Sequence, residues 1–359
     1  MMALRRRRRR QHHQLAPALE NLEDRQLLSV YTGPSMRRTV QSSGGTFLIQ
    51  VSGPGVIKEN PAGRSGIDLS AFGTTSATTI TITQIRPRWH FPSQYLDLNN
   101  VKITSGQLGG FDASFSELTG KMTPLNSALN TLELGSIGPK AQIVVNGSVG
   151  TMSVAQVDLG PTGRVMITGQ LNSSDATSST SPSALTDLTG LMTIGNFTID
   201  GGQFVIGQDS IAPIAVTGNM TISHDGLFSI GRDLDQSLTI YGNLVLDTGG
   251  QIFVGRNLNT LAVNGNVIVN PSGSGIVVNG ALGDLSVSGI FQGQGGKSTP
   301  TLFDLGVGLN ISGLSISGGT TSQEGLINAN IRAGGSITGE NIIYGIVNSS
   351  VQPNTPPPS

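Results

Sequence analysis

Apolar residues in this chain come in short alternating runs, each broken by Gly or by Gly-Asn, and the runs repeat. Gly-Asn stands at Gly195-Asn196, Gly218-Asn219, Gly242-Asn243 and Gly265-Asn266, at steps of 23, 24 and 23 residues. A fixed period of this length marks a unit that cannot bury its apolar face alone, so neighbouring units must stack. Ile214, Val216, Met220, Ile222, Phe228 and Ile230 reappear as Leu238, Ile240, Leu244, Leu246, Ile252 and Val254. They recur as Leu261, Val263, Val267, Val269, Ile276 and Val278, with Gly226, Gly250 and Gly275, and then Gly231, Gly255 and Gly280, aligned between the runs. Alternation over three to five positions is the period of a strand with one buried face. The Gly and Asn interruptions read as corners that need positive φ. Three short strands per coil of about 22–24 residues predict an all-β fold, a single-stranded parallel β-helix taken as right-handed, with coils about 4.8 Å apart.

The array extends in both directions. Ile143, Val145, Gly147 and Val149 repeat the phrase as Val165, Ile167, Gly169 and Leu171. A Ser/Thr-rich tract over 172–187 has no apolar rhythm and reads as a loop leaving one corner. A second polar excursion spans 290–300, after which Leu314, Ile316 and Gly318 resume the register of Leu285, Val287 and Gly289. The expected organisation is a basic leader over 1–38, disordered or a short helix, then irregular coils or a cap over 39–130. A regular solenoid follows over 131–345, and a disordered Pro-rich tail over 346–359. A small separate β-sandwich over about 40–95 is the alternative for the amino-terminal part. About a dozen coils predict a rod of ~55 Å.

Composition narrows the chemistry. The chain of 359 residues has no Cys, which excludes disulfides, thiolate metal sites and Cys nucleophiles. The net charge of −1 conceals an asymmetry: residues 1–38 hold nine Lys/Arg and three Asp/Glu, leaving a body of net −7. An acidic body, in a chain with 4% aromatic residues overall, lacks both the phosphate-binding footprint and the stacking platforms of nucleic-acid binders. No run of 18 apolar residues occurs, so no transmembrane helix is expected.

The amino-terminal segment runs from six arginines, Arg5 to Arg10, into LENLEDRQLLS at Leu19 to Ser29. It lacks the apolar core of an ordinary secretory signal, and by pattern alone a nucleic-acid or surface-contacting tail stays open. The segment resembles the LEPR-XLL type leader of large exported surface proteins in planctomycete-like bacteria. The resemblance covers roughly residues 5 to 30 and is carried by Leu22, Glu23, Asp24, Arg25, Leu27, Leu28 and Ser29. Glu23-Asp24-Arg25 stands where the family name has Glu-Pro-Arg. What the resemblance implies is engagement of export machinery and an extracellular or cell-surface destination; it implies no chemistry for the body.

Two columns within the repeat are candidates for more than packing. Asn196, Asn219, Asn243 and Asn266 form a row that reads as a structural ladder, each amide donating to its neighbour and satisfying corner backbone groups. Gln208, Arg232 and Arg256, followed by Asp209, Asp233 and Asn257, stack guanidinium and carboxylate groups on one edge. With His224, Asp225 and Asp235 near in sequence, this edge is where a carbohydrate-active site would lie, since such sites set two carboxylates apart as acid and base. Turn positions also favour Asp and Arg for solvation alone. Trp89, His90 and Phe91 form a further aromatic cluster, read either as a sugar platform or as a packed loop. No cofactor and no metal is implied, and the glycine-rich phrases precede no helix that would cradle phosphate.

The expectation is an exported structural or adhesin-like β-solenoid without catalysis, whose loops over 172–187 and 290–300 are displayed on a low-charge flank towards polysaccharide or other surface proteins. The alternative is a polysaccharide lyase or glycoside hydrolase working in a groove along the helix, through Asp209, Asp233, Asp235, Arg232 and Arg256.

Overall fold

A computed structural model describes residues 35–42, 44–61, 66–87, 95–125, 128–168, 191–270, 273–293, 304–318, 325–342, 346–347 and 349–353. The leader motif, the Trp89 cluster and the tract over 172–187 lie outside the described residues. Those described contain no helix, and 31 strands join into one continuous, mostly parallel sheet. In the regular region each coil supplies three strands, as in Ile214–Val216, Met220–Ser223 and Leu227–Ile230. We name these faces one, two and three. Ile214 pairs with Leu238, Met220 with Leu244 and Phe228 with Ile252, in each case one coil further along the chain. The fold is therefore a parallel β-helix, as the repeat period and the alternation together predict.

The strands form because every second side chain finds a dry interior. Val216, Ile222, Phe228 and Ile240 are all fully buried, and one apolar cluster runs unbroken from Val40 to Ala333. Phe197, on face two, packs edge-on against Phe204 and Phe228, on face three, with ring centroids 5.3 and 5.8 Å apart. Such edge-to-face pairs add about 0.5–1.5 kcal/mol beyond area burial.

The largest changes in coil length come from segments inserted at corners. Leu285 pairs with Leu314 and Val287 with Ile316, so the register after the second polar excursion is the one expected. The tract over 172–187 falls between Arg164–Ile167 on face three and the start of Met192–Asp200, whose first residues lie on face one. The excursion near 294–303 instead falls between Phe291–Gln292 on face two and Leu305–Val307 on face three. The two therefore leave from different corners, not from one flank. Ile143 and Val145 also fall on face three rather than on the face that leads into Gly-Asn. Gly275 pairs with Gln251, one position later than its expected alignment with Gly250. Gly280 likewise stacks on Arg256, its N–H bonding that carbonyl at 2.7 Å, so Asn279 rather than Gly280 succeeds Gly255.

The amino-terminal region is neither a separate sandwich nor plain coils. Ser35–Ser42, Gly45–Ser52 and Thr79–Pro87 pair antiparallel in series, and Val56–Pro61 pairs antiparallel with Ile67–Phe72. Thr79–Pro87 and Ile67–Phe72 then start the parallel stack. Their inward residues belong to the same core, so this is a cap that closes the open end of the rod. Its first strand reaches back into the expected leader: Arg38 forms an ion pair with Glu59, whose carboxyl is raised by burial and lowered less strongly by Arg38. At the other end, Ile346–Val347 and Ser350–Pro353 continue faces two and three past the expected boundary at 345. Face one counts eleven parallel strands from Thr79–Pro87 to Glu340–Ile342. Ten spacings give a rod of roughly 48 Å plus its cap.

Candidate functional site

Three corners separate the faces, and each solves the stacking problem differently. At the corner between faces one and two, Asn219 Oδ1 accepts the N–H of Asn243 at 2.8 Å, Asn243 Oδ1 that of Asn266 at 2.8 Å, and Asn266 Oδ1 that of Ile290 at 3.0 Å. Asn196 Oδ1 stands 3.4 Å from the N–H of Asn219. The links thus run from backbone amide to side-chain oxygen, not from one carboxamide to the next. Asn243→Ala is expected to cost about 1 kcal/mol, and hydrogen exchange should show the Asn266 amide losing protection. An unchanged exchange rate at Asn266 would remove the role given to that oxygen.

The glycines of this corner are required by proximity rather than by conformation. Gly218, Gly242 and Gly265 are not among the residues with positive φ. A Cβ on Gly242 would instead stand 2.6 Å from the Gly218 carbonyl oxygen and 2.4 Å from Asn219 Oδ1. Positive φ gathers at the corner between faces two and three, where Gly201, Asp225, Gly249 and Gly273 follow one another coil by coil with φ of 76°, 62°, 82° and 82°.

That second corner also holds His224 and Asp225, so the structure separates them from the Arg/Asp column. His224 Nδ1 contacts Asp200 Oδ1, which also accepts the Ser223 hydroxyl at 2.8 Å. The hydrogen bond to Asp200, and then the charge of Asp200, raise the His224 pKa; hydrogen bonds from His224 and Ser223 lower that of Asp200. A raised His favours folding below its unfolded value of about 6.5, and that contribution is lost as pH climbs through the raised value. A lowered Asp favours folding above about 3.9 and loses its contribution as pH falls through the lowered value. An NMR titration is expected to show His224 deprotonating above the ordinary imidazole range, and to return to that range in Asp200→Asn. Both residues are exposed, so the readout is the titration rather than the melting temperature.

The third corner, between faces three and one, brings together Asp209, Asp233, Asp235, Arg232 and Arg256. Asp209 Oδ1 accepts the N–H of Asp233 at 2.9 Å, and Asp233 Oδ1 accepts both the N–H and Nδ2 of Asn257 at 2.9 Å. Asn257 Oδ1 passes the pattern on to the N–H of Ala281 at 2.9 Å. Each Arg reaches back to the acid of the preceding coil: Arg232 Nε to Asp209 Oδ1 at 3.4 Å, and Arg256 Nη2 to Asp233 Oδ2 at 3.1 Å. This is a second ladder, charged where the first is neutral.

Asp235 differs from its neighbours. The pairing of Leu234–Ile240 with Leu258–Val263 slips between Leu234 and Ser237, so Asp235 lies in a bulge, a device that re-aims a side chain. Its carboxyl is raised by partial burial and then by Asp233 and Asp209, with Arg256 acting the other way. Of the three acids it alone is exposed. A two-carboxylate reaction at this corner would have to recruit Asp209 or Asp233, whose oxygens already hold amides and guanidinium groups.

A further set of acids is not apparent in the sequence. Asp97 pairs with Glu117 near the cap; burial raises both, and Asp97 and Asp158 raise Glu117 further. Coil steps shorter than those of the regular region hide this column, because Asp97 and Glu117 share no period with the Gly-Asn corners. Among the described residues no group of three or more His, Asp or Glu is arranged to hold a metal ion. Nor is any helix among them long and apolar enough to cross a membrane. The chain matches no protein-family model, no curated protein and no solved structure, so its function is read from its residues and geometry.

Proposed function

We propose that this chain is an exported, non-enzymatic β-solenoid that holds the segments inserted at its corners towards polysaccharide or other surface proteins, at a cell surface or in an extracellular matrix. The observation that carries this reading is the use of the corner side chains. Asn219, Asn243, Asp209, Asp233 and Asn257 accept backbone amides of the next coil, which sets register and leaves them poorly placed for proton transfer. A rod so locked is a rigid support for loops, which is where binding residues concentrate. The resemblance of Leu22 to Ser29 to an export leader supports the destination.

Incubation of the full chain with acidic and neutral polysaccharides is expected to release neither unsaturated nor reducing ends; release of either would overturn the non-enzymatic reading. Deletion of residues 1–30 is expected to abolish export, and undiminished secretion would remove the leader's role. A lyase or glycoside hydrolase is the second reading, favoured by the raised carboxyl of Asp235 beside Asp233 and Asp209. It requires that any product released disappear in Asp235→Asn.

A further inference from the structure

The outer side of face three carries Val205, Ser229, Phe253, Val277, Gly306 and Arg332 in successive coils. At Gly306 the column loses its side chain. A notch opens there between Val277 and Arg332, with a cavity of about 310 Å³ lined also by Asn279, Gly308 and Gly334 of the adjoining corner. Arg332 lines the notch, and its Nε is buried with no hydrogen-bond partner among the described residues. A buried charged donor left without an acceptor is costly, and native structures rarely retain one without a use.

The chemistry of the notch selects its ligand. A planar guanidinium edge matches the two oxygens of a carboxylate and holds them in one plane. Val277 offers an apolar wall and Gly306 a floor without a side chain, while Asn279 and the backbone at Gly308 and Gly334 supply polar groups around it. A carboxylate carried on a ring with one apolar face and a hydroxyl rim fits both halves. The outer column continues along the rod from Val277 back to Val205, so a chain of such rings need not end there.

We propose that this notch binds a uronic acid residue of an acidic polysaccharide, its carboxylate on the Arg332 guanidinium and its ring over Gly306 against Val277. The proposal rests on the display reading and names the class of polymer displayed to.

Calorimetric titration of the full chain with trigalacturonate and with its neutral, carboxyl-reduced counterpart tests it. The acidic trimer is expected to bind and the neutral one not. Gly306→Val fills the notch and keeps the guanidinium; Arg332→Lys keeps the charge and loses the planar edge. Each is expected to weaken binding at least tenfold while the chain keeps the circular-dichroism spectrum of the folded solenoid. No binding of the acidic trimer by the unaltered chain, or equal binding by both variants, would overturn the site. Polysaccharide captured equally by all three proteins would sink the notch and leave the display reading standing. Product release would do the reverse.

Discussion

Phe228→Ala is expected to lower the stability of the rod by about 3–5 kcal/mol, the range for removing a large buried aromatic ring. Phe228 is fully buried and lies between Phe204 and Phe197, at 5.8 Å from each ring. Its loss removes both aromatic contacts and leaves a cavity that the neighbouring coils cannot close, because their spacing is set by backbone hydrogen bonds. The effect should be local at first. Coils touch only their neighbours, so native-state hydrogen exchange is expected to show the strands around Leu227–Ile230 opening before those near Leu282–Val287. A urea midpoint shift equivalent to less than about 1 kcal/mol would mean that the three rings do not form a packed unit.

Gly242→Ala is expected to cost about 3 kcal/mol, although it adds a single methyl group to a corner. The new Cβ would meet the Gly218 carbonyl oxygen at 2.6 Å and Asn219 Oδ1 at 2.4 Å, and these two groups form the ladder that spaces the coils. Neither can move without breaking the bonds above and below it. Gly273→Ala is the control. There φ is +82° and nothing lies within 4 Å of an added Cβ, so only the left-handed conformation is penalised, at about 1–2 kcal/mol. Chemical denaturation of the two variants should rank Gly242→Ala clearly below Gly273→Ala. The opposite order would show that conformation, not close approach, makes glycine necessary at the Gly-Asn corner.

The contrast between these two glycines shows where sequence reading succeeds and where it stops. Both punctuate apolar runs in the same way, and both mark corners. Positive φ is the usual reason for such a glycine, and it holds for Gly273 but not for Gly242, whose constraint comes from Gly218 and Asn219 in the preceding coil. The Arg/Asp column behaves alike. That Arg232 lies under Arg256 follows from the period; that Arg256 turns back to Asp233 rather than outward does not. His224 and Asp225 stand close to Asp235 in sequence, yet one face of the coil separates them. Arg332 and Gly306 are invisible as a pair in the sequence, since inserted segments stretch the step from Leu285 to Leu314 beyond that of the regular coils and obscure the outer column.

By itself the sequence determined the coil, its three strands, the inward set of side chains and the register across the excursion at 290–300. Those features depend on alternation within a few residues, which any stretch of chain carries locally. Only the tertiary structure decided that the amino-terminal strands pair antiparallel into a cap, because alternation is the same in parallel and antiparallel ladders. It alone decided which corner oxygens meet which amides and where a missing side chain opens a notch beside Arg332. The corner and notch contacts join residues about one coil apart, and their geometry exists only once the coils are stacked.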